Sequence, residues 1–186
     1  MVTLNLQVGA SSDDAKQAAD TTMSLTIVFI RILGPAQWGG IRFTNVTIPQ
    51  GATINTATIT VDVEDTVNDD PNENIYGNDV DNAGTFTSTN SDISGRARTT
   101  AVVEWTATGV GAGTEVSPDI STVIQEIVNR AGWVSGNAIA LIFDHLGTTN
   151  FAFTSYDGST TLAAKLDITY TVSGAVAKRK HQVFIT

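Results

Sequence analysis

Leu4, Leu6 and Val8 alternate with Thr3, Asn5 and Gln7, the two-residue period of a strand with one buried face, and the pattern stops at Gly9. The same period is clearest at Ala57, Ile59, Val61 and Val63, which alternate with Thr58, Thr60, Asp62 and Glu64. The apolar run 24–32 reads as a further strand closed by Gly34-Pro35, after a polar loop at Ser11 to Ala15. Strands are also expected at 98–105, 138–144, 151–156 and 165–171. Gly39-Gly40, just ahead of Ile41-Arg42-Phe43, allows a turn or the close approach of another backbone. Ile48-Pro49-Gln50-Gly51-Ala52 predicts a turn, with Pro setting one corner and Gly accepting positive φ two residues later.

One segment changes period. Ile120, Val123, Ile124, Ile127 and Val128 recur at helical spacing, with Gln125, Glu126, Asn129 and Arg130 left outward and Gly132 ending the run. Ser117 is the expected N-cap, Pro118 the first helical residue and Asp119 a favourable charge at the positive helix end. The stretch 65–90 is rich in Asp, Asn, Gly and Thr. It predicts long surface loops with a short strand at 74–76.

Composition supports this β-rich picture, because Thr, Val and Ile fit a pleated surface while Gly and Asn supply turns. The chain has 186 residues and no cysteine, so disulfides, thiolate metal sites and thiol nucleophiles are excluded together. Ten basic residues against 19 acidic ones give a net charge of −9, which argues against nucleic-acid binding by bulk charge. The charge is segregated: residues 1–172 hold 7 basic and 19 acidic groups, −12, while 173–186 add Lys178, Arg179 and Lys180, +3. The opening Val2-Thr3-Leu4-Asn5-Leu6-Gln7 has neither the basic start nor the apolar run of a signal peptide, and no apolar run is long enough for a bilayer. The expectation is synthesis in the cytoplasm and no membrane partner.

The string Trp38-Gly39-Gly40-Ile41-Arg42-Phe43, followed by Ile48-Pro49-Gln50-Gly51-Ala52-Thr53-Ile54-Asn55-Thr56-Ala57-Thr58-Ile59, resembles the signature of the DNRLRE family. Val103-Glu104-Trp105, the helix after Pro118 and a closing Lys165-Leu166-Asp167-Ile168-Thr169-Tyr170 fall in that family's order, so the resemblance covers residues 3 to 172. It implies an all-β, jelly-roll-like β-sandwich with one amphipathic helix packed on it, spanning 1–172, and a basic C-terminal tail at 173–186. Members are often sugar-binding modules appended to secreted carbohydrate-active enzymes. The opening of this chain is more similar to versions carried by tailed bacteriophages as virion surface proteins. The implied role is a non-enzymatic capsid decoration or head-fibre protein, made in the host cytoplasm, displayed on the virion surface and assembled as a homotrimer. Its partners would be other virion proteins, either the major capsid protein or tail and fibre subunits. The alternative is a carbohydrate-binding adhesion module of a tail tip or fibre that contacts host surface glycans.

Candidate chemistry is sparse. Only His145 and His181 supply imidazole bases, and His145 reads as a hydrogen-bonded surface or edge residue rather than a catalyst. With 19 acids, two carboxylates at glycosidase spacing are expected by chance, so no enzyme is expected. Asp65, Asp69, Asp70, Asn72, Asp79 and Asp81 offer hard oxygen ligands for calcium, although no cofactor is required. Counting Asp70 as the first position of an EF-hand puts Ile75 where glycine is needed, and the same residues also read as a solvated loop that protects a sheet edge. Trp38, Tyr76, Trp105 and Trp133 are the candidate sugar platforms, against the commoner use of an indole to plug a core edge. Lys178, Arg179 and Lys180, with Val183, Phe184 and Ile185, form a candidate subunit contact in which the tail docks on an acidic neighbour as an added strand or plug. The plain alternative is terminal disorder.

Overall fold

The computed structural model describes residues 1–64, 70–147 and 149–172. Twelve strands and one helix run in the order β1 (Val2–Gln7), β2 (Asp14–Gln17), β3 (Met23–Ser24), β4 (Phe29–Ile32), β5 (Trp38–Phe43), β6 (Thr53–Val63), β7 (Asn72–Asn78), β8 (Arg98–Thr106), β9 (Gly113–Val116), α1 (Ser121–Val128), β10 (Ile139–His145), β11 (Phe151–Thr154) and β12 (Lys165–Thr171). They form two six-stranded antiparallel sheets. The first has the order β1-β12-β6-β11-β4, with β9 also paired to β6, and the second has the order β3-β2-β5-β10-β7-β8. The protein is an all-β, jelly-roll-like sandwich with one helix packed on it. Among the described residues no helix is long and apolar enough to cross a membrane.

The alternation in the sequence decides which side chains enter the core. Leu4 and Leu6 lie opposite Ile168 and Leu166, which in turn lie opposite Ala57 and Ile59. The intervening positions form a solvent-facing polar surface on which Thr3, Thr169 and Thr56 line up, the last two hydroxyls 2.7 Å apart. Between the sheets sits an aromatic cluster. Trp105 meets Phe151 edge-on with ring centroids 5.1 Å apart, and Phe153 touches both Phe151 and Phe143 at 5.4 and 5.7 Å. Buried rings of this kind each contribute about 1.5–3 kcal/mol through area removed from water.

The second sheet is covered on its outer side as well. Ala15, Ala140 and Ile142 on that face pack with Phe86 and Ile93 from the segment between β7 and β8. Gly40 makes this possible: a Cβ there would lie 2.5 Å from Phe86 Cζ. The glycine pair thus serves close approach within β5, by a side chain and not by a backbone. Arg96 holds the same segment in shape, donating to the carbonyls of Gly84, Thr85 and Asp92, each at 2.8 Å.

Several sequence expectations need correction. The run 24–32 is not one strand, because Met23–Ser24 pairs with β2 in the second sheet while Phe29–Ile32 pairs with β11 in the first. The chain crosses from sheet to sheet between them. The loop at Ser11 to Ala15 is shorter than expected, since Asp14 and Ala15 already belong to β2. The strand expected at 74–76 is the seven-residue β7, and it runs inside the sheet between β10 and β8.

The helix has the expected buried stripe of Ile120, Val123, Ile124, Ile127 and Val128. Its N-cap is Ile120, with no side-chain capping bond. Ser117 Oγ instead accepts the amide of Ile59 at 2.9 Å and Asp119 accepts that of Ala57 at 2.9 Å, so both residues fasten the helix approach to β6. Gln125 and Glu126, expected to face outward, are half-buried and tie α1 to the sheets. Gln125 accepts the Ile54 amide at 2.8 Å and donates to the Ala52 carbonyl at 2.9 Å. The turn before β6 is as expected, with Ala52 N donating to Pro49 O at 3.1 Å and Gly51 at φ +70°.

Candidate functional site

The outer face of the second sheet is where the structure gathers sequence-predicted binding residues. Cross-strand register puts Trp38 of β5 opposite Asp144 of β10, Asp144 opposite Asn74 of β7, and Asn74 opposite Glu104 of β8. Directly opposed residues share a face, so these four form one row across the sheet. Tyr76, two positions beyond Asn74, shares that face. Arg98, at the start of β8, lies between the aromatics with its guanidinium carbon 4.2 Å from the Trp38 centroid and 5.2 Å from that of Tyr76. Its Nη1 donates to Asp144 Oδ2 at 3.1 Å. Burial raises the pKa of Asp144 above the ordinary carboxylate range, against the lowering pull of Arg98.

Trp38 and Tyr76 are half-buried and Glu104 is exposed, so the row presents ring, cation and acceptors together. That set suits a polyhydroxylated ligand, although one face of Trp38 is already taken by the guanidinium. Arg98 and Asp144 were missed in the sequence. Their signal was present, since each sits at the end of an expected strand, but which strands become neighbours is not written in spacing.

The other two platform candidates are corrected. Trp105 and Trp133 are 1% and 2% exposed. Trp105 belongs to the aromatic cluster, and Trp133 donates its indole N–H to Ile48 O at 2.9 Å, locking the turn before β6. Neither ring is presented to a sugar.

The acidic candidates are dispersed. Asp79 and Asp81 both pair with Arg130, with 2.8 Å from its Nε to Asp81 Oδ1, and Asp70 accepts the Val110 amide at 2.8 Å. Asn72 lies in β7. Asp65 and Asp69 lie outside the described residues, as do Lys178, Arg179, Lys180, Val183, Phe184 and Ile185. Among the described residues no three His, Asp or Glu side chains are gathered to hold a metal ion.

His145 is not at the surface. Its side chain and that of Glu73 are fully buried, with 2.8 Å between Nδ1 and Oε1, a hydrogen bond whose donor depends on the imidazole tautomer. Burial pushes Glu73 up to about 9 and holds His145 below its ordinary value, so both are neutral at pH 7. Among the described residues Glu73 Oε2 and His145 Nε2 have no hydrogen-bond partner.

No family model matches the chain, and no curated protein matches it.

Proposed function

We propose that this chain is a non-enzymatic structural protein of a tailed-bacteriophage particle, displayed on the virion surface as a capsid decoration or head-fibre subunit. The turn and strand motifs from Trp38 to Ile59 support the family resemblance, and the opening from Leu4 to Ala15 supports its phage-type version. The observation that carries an assembly role is the treatment of the edge strands.

An open strand edge offers unpaired N–H and C=O groups to any passing chain, and proteins blunt such edges with charge, shortness or a cover. Four edge strands here are blunted. β3 has two residues, and β4 and β9 have four each, with Arg31 in one and Glu115 in the other. The edge of β8 is covered where Glu126 of α1 accepts the amides of Thr100 and Ala101 at 2.8 and 2.7 Å. β1 is different: six residues, Val-Thr-Leu-Asn-Leu-Gln, with no charge, no proline and, among the described residues, a partner, β12, on one side only.

In the proposed assembly, residues 173–186 of one subunit add along β1 of the next, closing a homotrimer. The +3 tail then meets a −12 body, and Val183, Phe184 and Ile185 supply the added strand. Sedimentation of the full chain against a chain lacking residues 173–186 tests this reading. A trimer that becomes a monomer on deletion supports it, and a full chain that sediments as a monomer overturns it. Immunogold labelling of intact particles tests the location, and its absence from both head and tail overturns the virion role.

A second reading, glycan adhesion, is favoured by the Trp38–Arg98–Tyr76 stack. It predicts glycan-array binding that Trp38→Ala abolishes, with assembly unchanged.

A further inference from the structure

The mouth of the sandwich between β2 and β4 holds a cleft of about 430 Å³, separate from both the β1 edge and the Trp38 face. Lys16 and Arg31 line it, together with Ser24, Thr26, Val28 and Phe29. Arg31 is fixed in place: its Nε donates to Glu64 Oε2 at 2.8 Å and its guanidinium carbon lies 5.1 Å from the Phe29 centroid. Lys16 is half-buried, and among the described residues it has no ion-pair partner. Burial, and after it the like charge of Arg31, lowers the pKa of its ammonium. Arg31 Nη2 also pairs with Glu64 Oε1, so Lys16 is the cation that this cleft leaves without an ion-pair partner among the described residues, in a chain with 19 acids against 10 bases. Holding a lysine there without a counter-charge costs free energy that a bound anion would return.

The walls say what kind of anion fits. Phe29 and Val28, the latter 55% exposed, offer apolar surface, while Ser24 and Thr26 offer hydroxyl donors. We propose that this cleft binds a small carboxylate ligand, its oxygens held by Lys16 with the hydroxyls of Ser24 and Thr26 and its apolar or ring-shaped body resting on Phe29 and Val28. The site shares no residue with the assembly edge or the aromatic row, so it stands or falls separately from both.

The test is calorimetric titration of the full chain with benzoate, benzamide and inorganic phosphate. Benzoate and benzamide share a ring and differ in charge, while phosphate carries charge without a ring. The expected result is saturable benzoate binding, with benzamide weaker by about tenfold or more, the effect of one lost charge-assisted contact. Lys16→Met, which keeps the apolar stem, should lose about tenfold for benzoate, and Lys16→Arg should retain binding. If Lys16→Met does not fold, Lys16→Gln replaces it. Equal affinity for benzoate and benzamide, or benzoate binding untouched by loss of the Lys16 charge, would overturn the proposal. So would phosphate binding as tightly as benzoate, or no saturable binding by any of the three.

Discussion

Glu73 and His145 stand 72 residues apart in sequence and share one hydrogen bond in the core. Nothing in either local pattern marks them, because a residue inside a polar-looking stretch and one at a strand end meet only through the β7–β10 pairing. Their burial sets a pH dependence. In the unfolded chain a glutamate ionises near 4.5, whereas Glu73 stays protonated in the folded chain up to about 9, so stability falls as pH rises through that window. Asp14, also pushed up by burial, acts in the same direction but only from 3.8 to about 7. His145, kept neutral, penalises the folded state only below its ordinary 6.5. Of these three, only Glu73 still titrates between about 7 and about 9. Glu73→Gln, which keeps the shape of the side chain but removes the titrating carboxyl, should therefore flatten the loss of stability across that interval in urea unfolding. Gly40 makes a steric prediction. A methyl there strikes the Phe86 ring, so Gly40→Ala should cost about 1–3 kcal/mol, read as a lower urea midpoint.

The elements legible in the sequence are those whose period is local. Alternation at Leu4 to Val8 and Ala57 to Val63 marks β1 and β6, and the helical stripe marks α1, since each has one face toward the core and one away. What stayed hidden depends on partners. An apolar run cannot show that the chain changes sheets between Ser24 and Phe29. A polar composition hid the full length of β7, whose buried positions include Glu73 and Gly77. Gly77 is small there because a Cβ would lie 2.6 Å from Ile127 Cδ1 of the helix above it. Glu126 links two elements, so Glu126→Ala should release two edge amides and cost about 1–3 kcal/mol in urea unfolding, with the sheet otherwise retained. Of the binding candidates, Trp38 and Tyr76 share a face through a register that spacing could not supply, while Trp105 and Trp133 were drawn into the core by the area their rings bury.

At the scale of the whole molecule, charge separates an acidic body from a basic end, and this separation carries a prediction about assembly. Contacts built partly on the +3 tail against a −12 body should weaken as salt screens them. If the proposed trimer forms, sedimentation of the full chain should show it giving way to monomer as ionic strength rises from low to molar. Association that is indifferent to salt would assign the contact to the apolar residues alone.

Among the described residues β1 has its only strand partner in β12, with Val2 opposite Tyr170 and Gln7 opposite Lys165. β1 leaves the ribosome before the other strands of these two sheets yet must wait for β12 before it can pair, and a chain terminated ahead of Lys165 can never complete the first sheet. Such a fragment would expose β6 and β1 together to proteases. The fold thereby checks that translation has passed β12 before a subunit becomes fit for use.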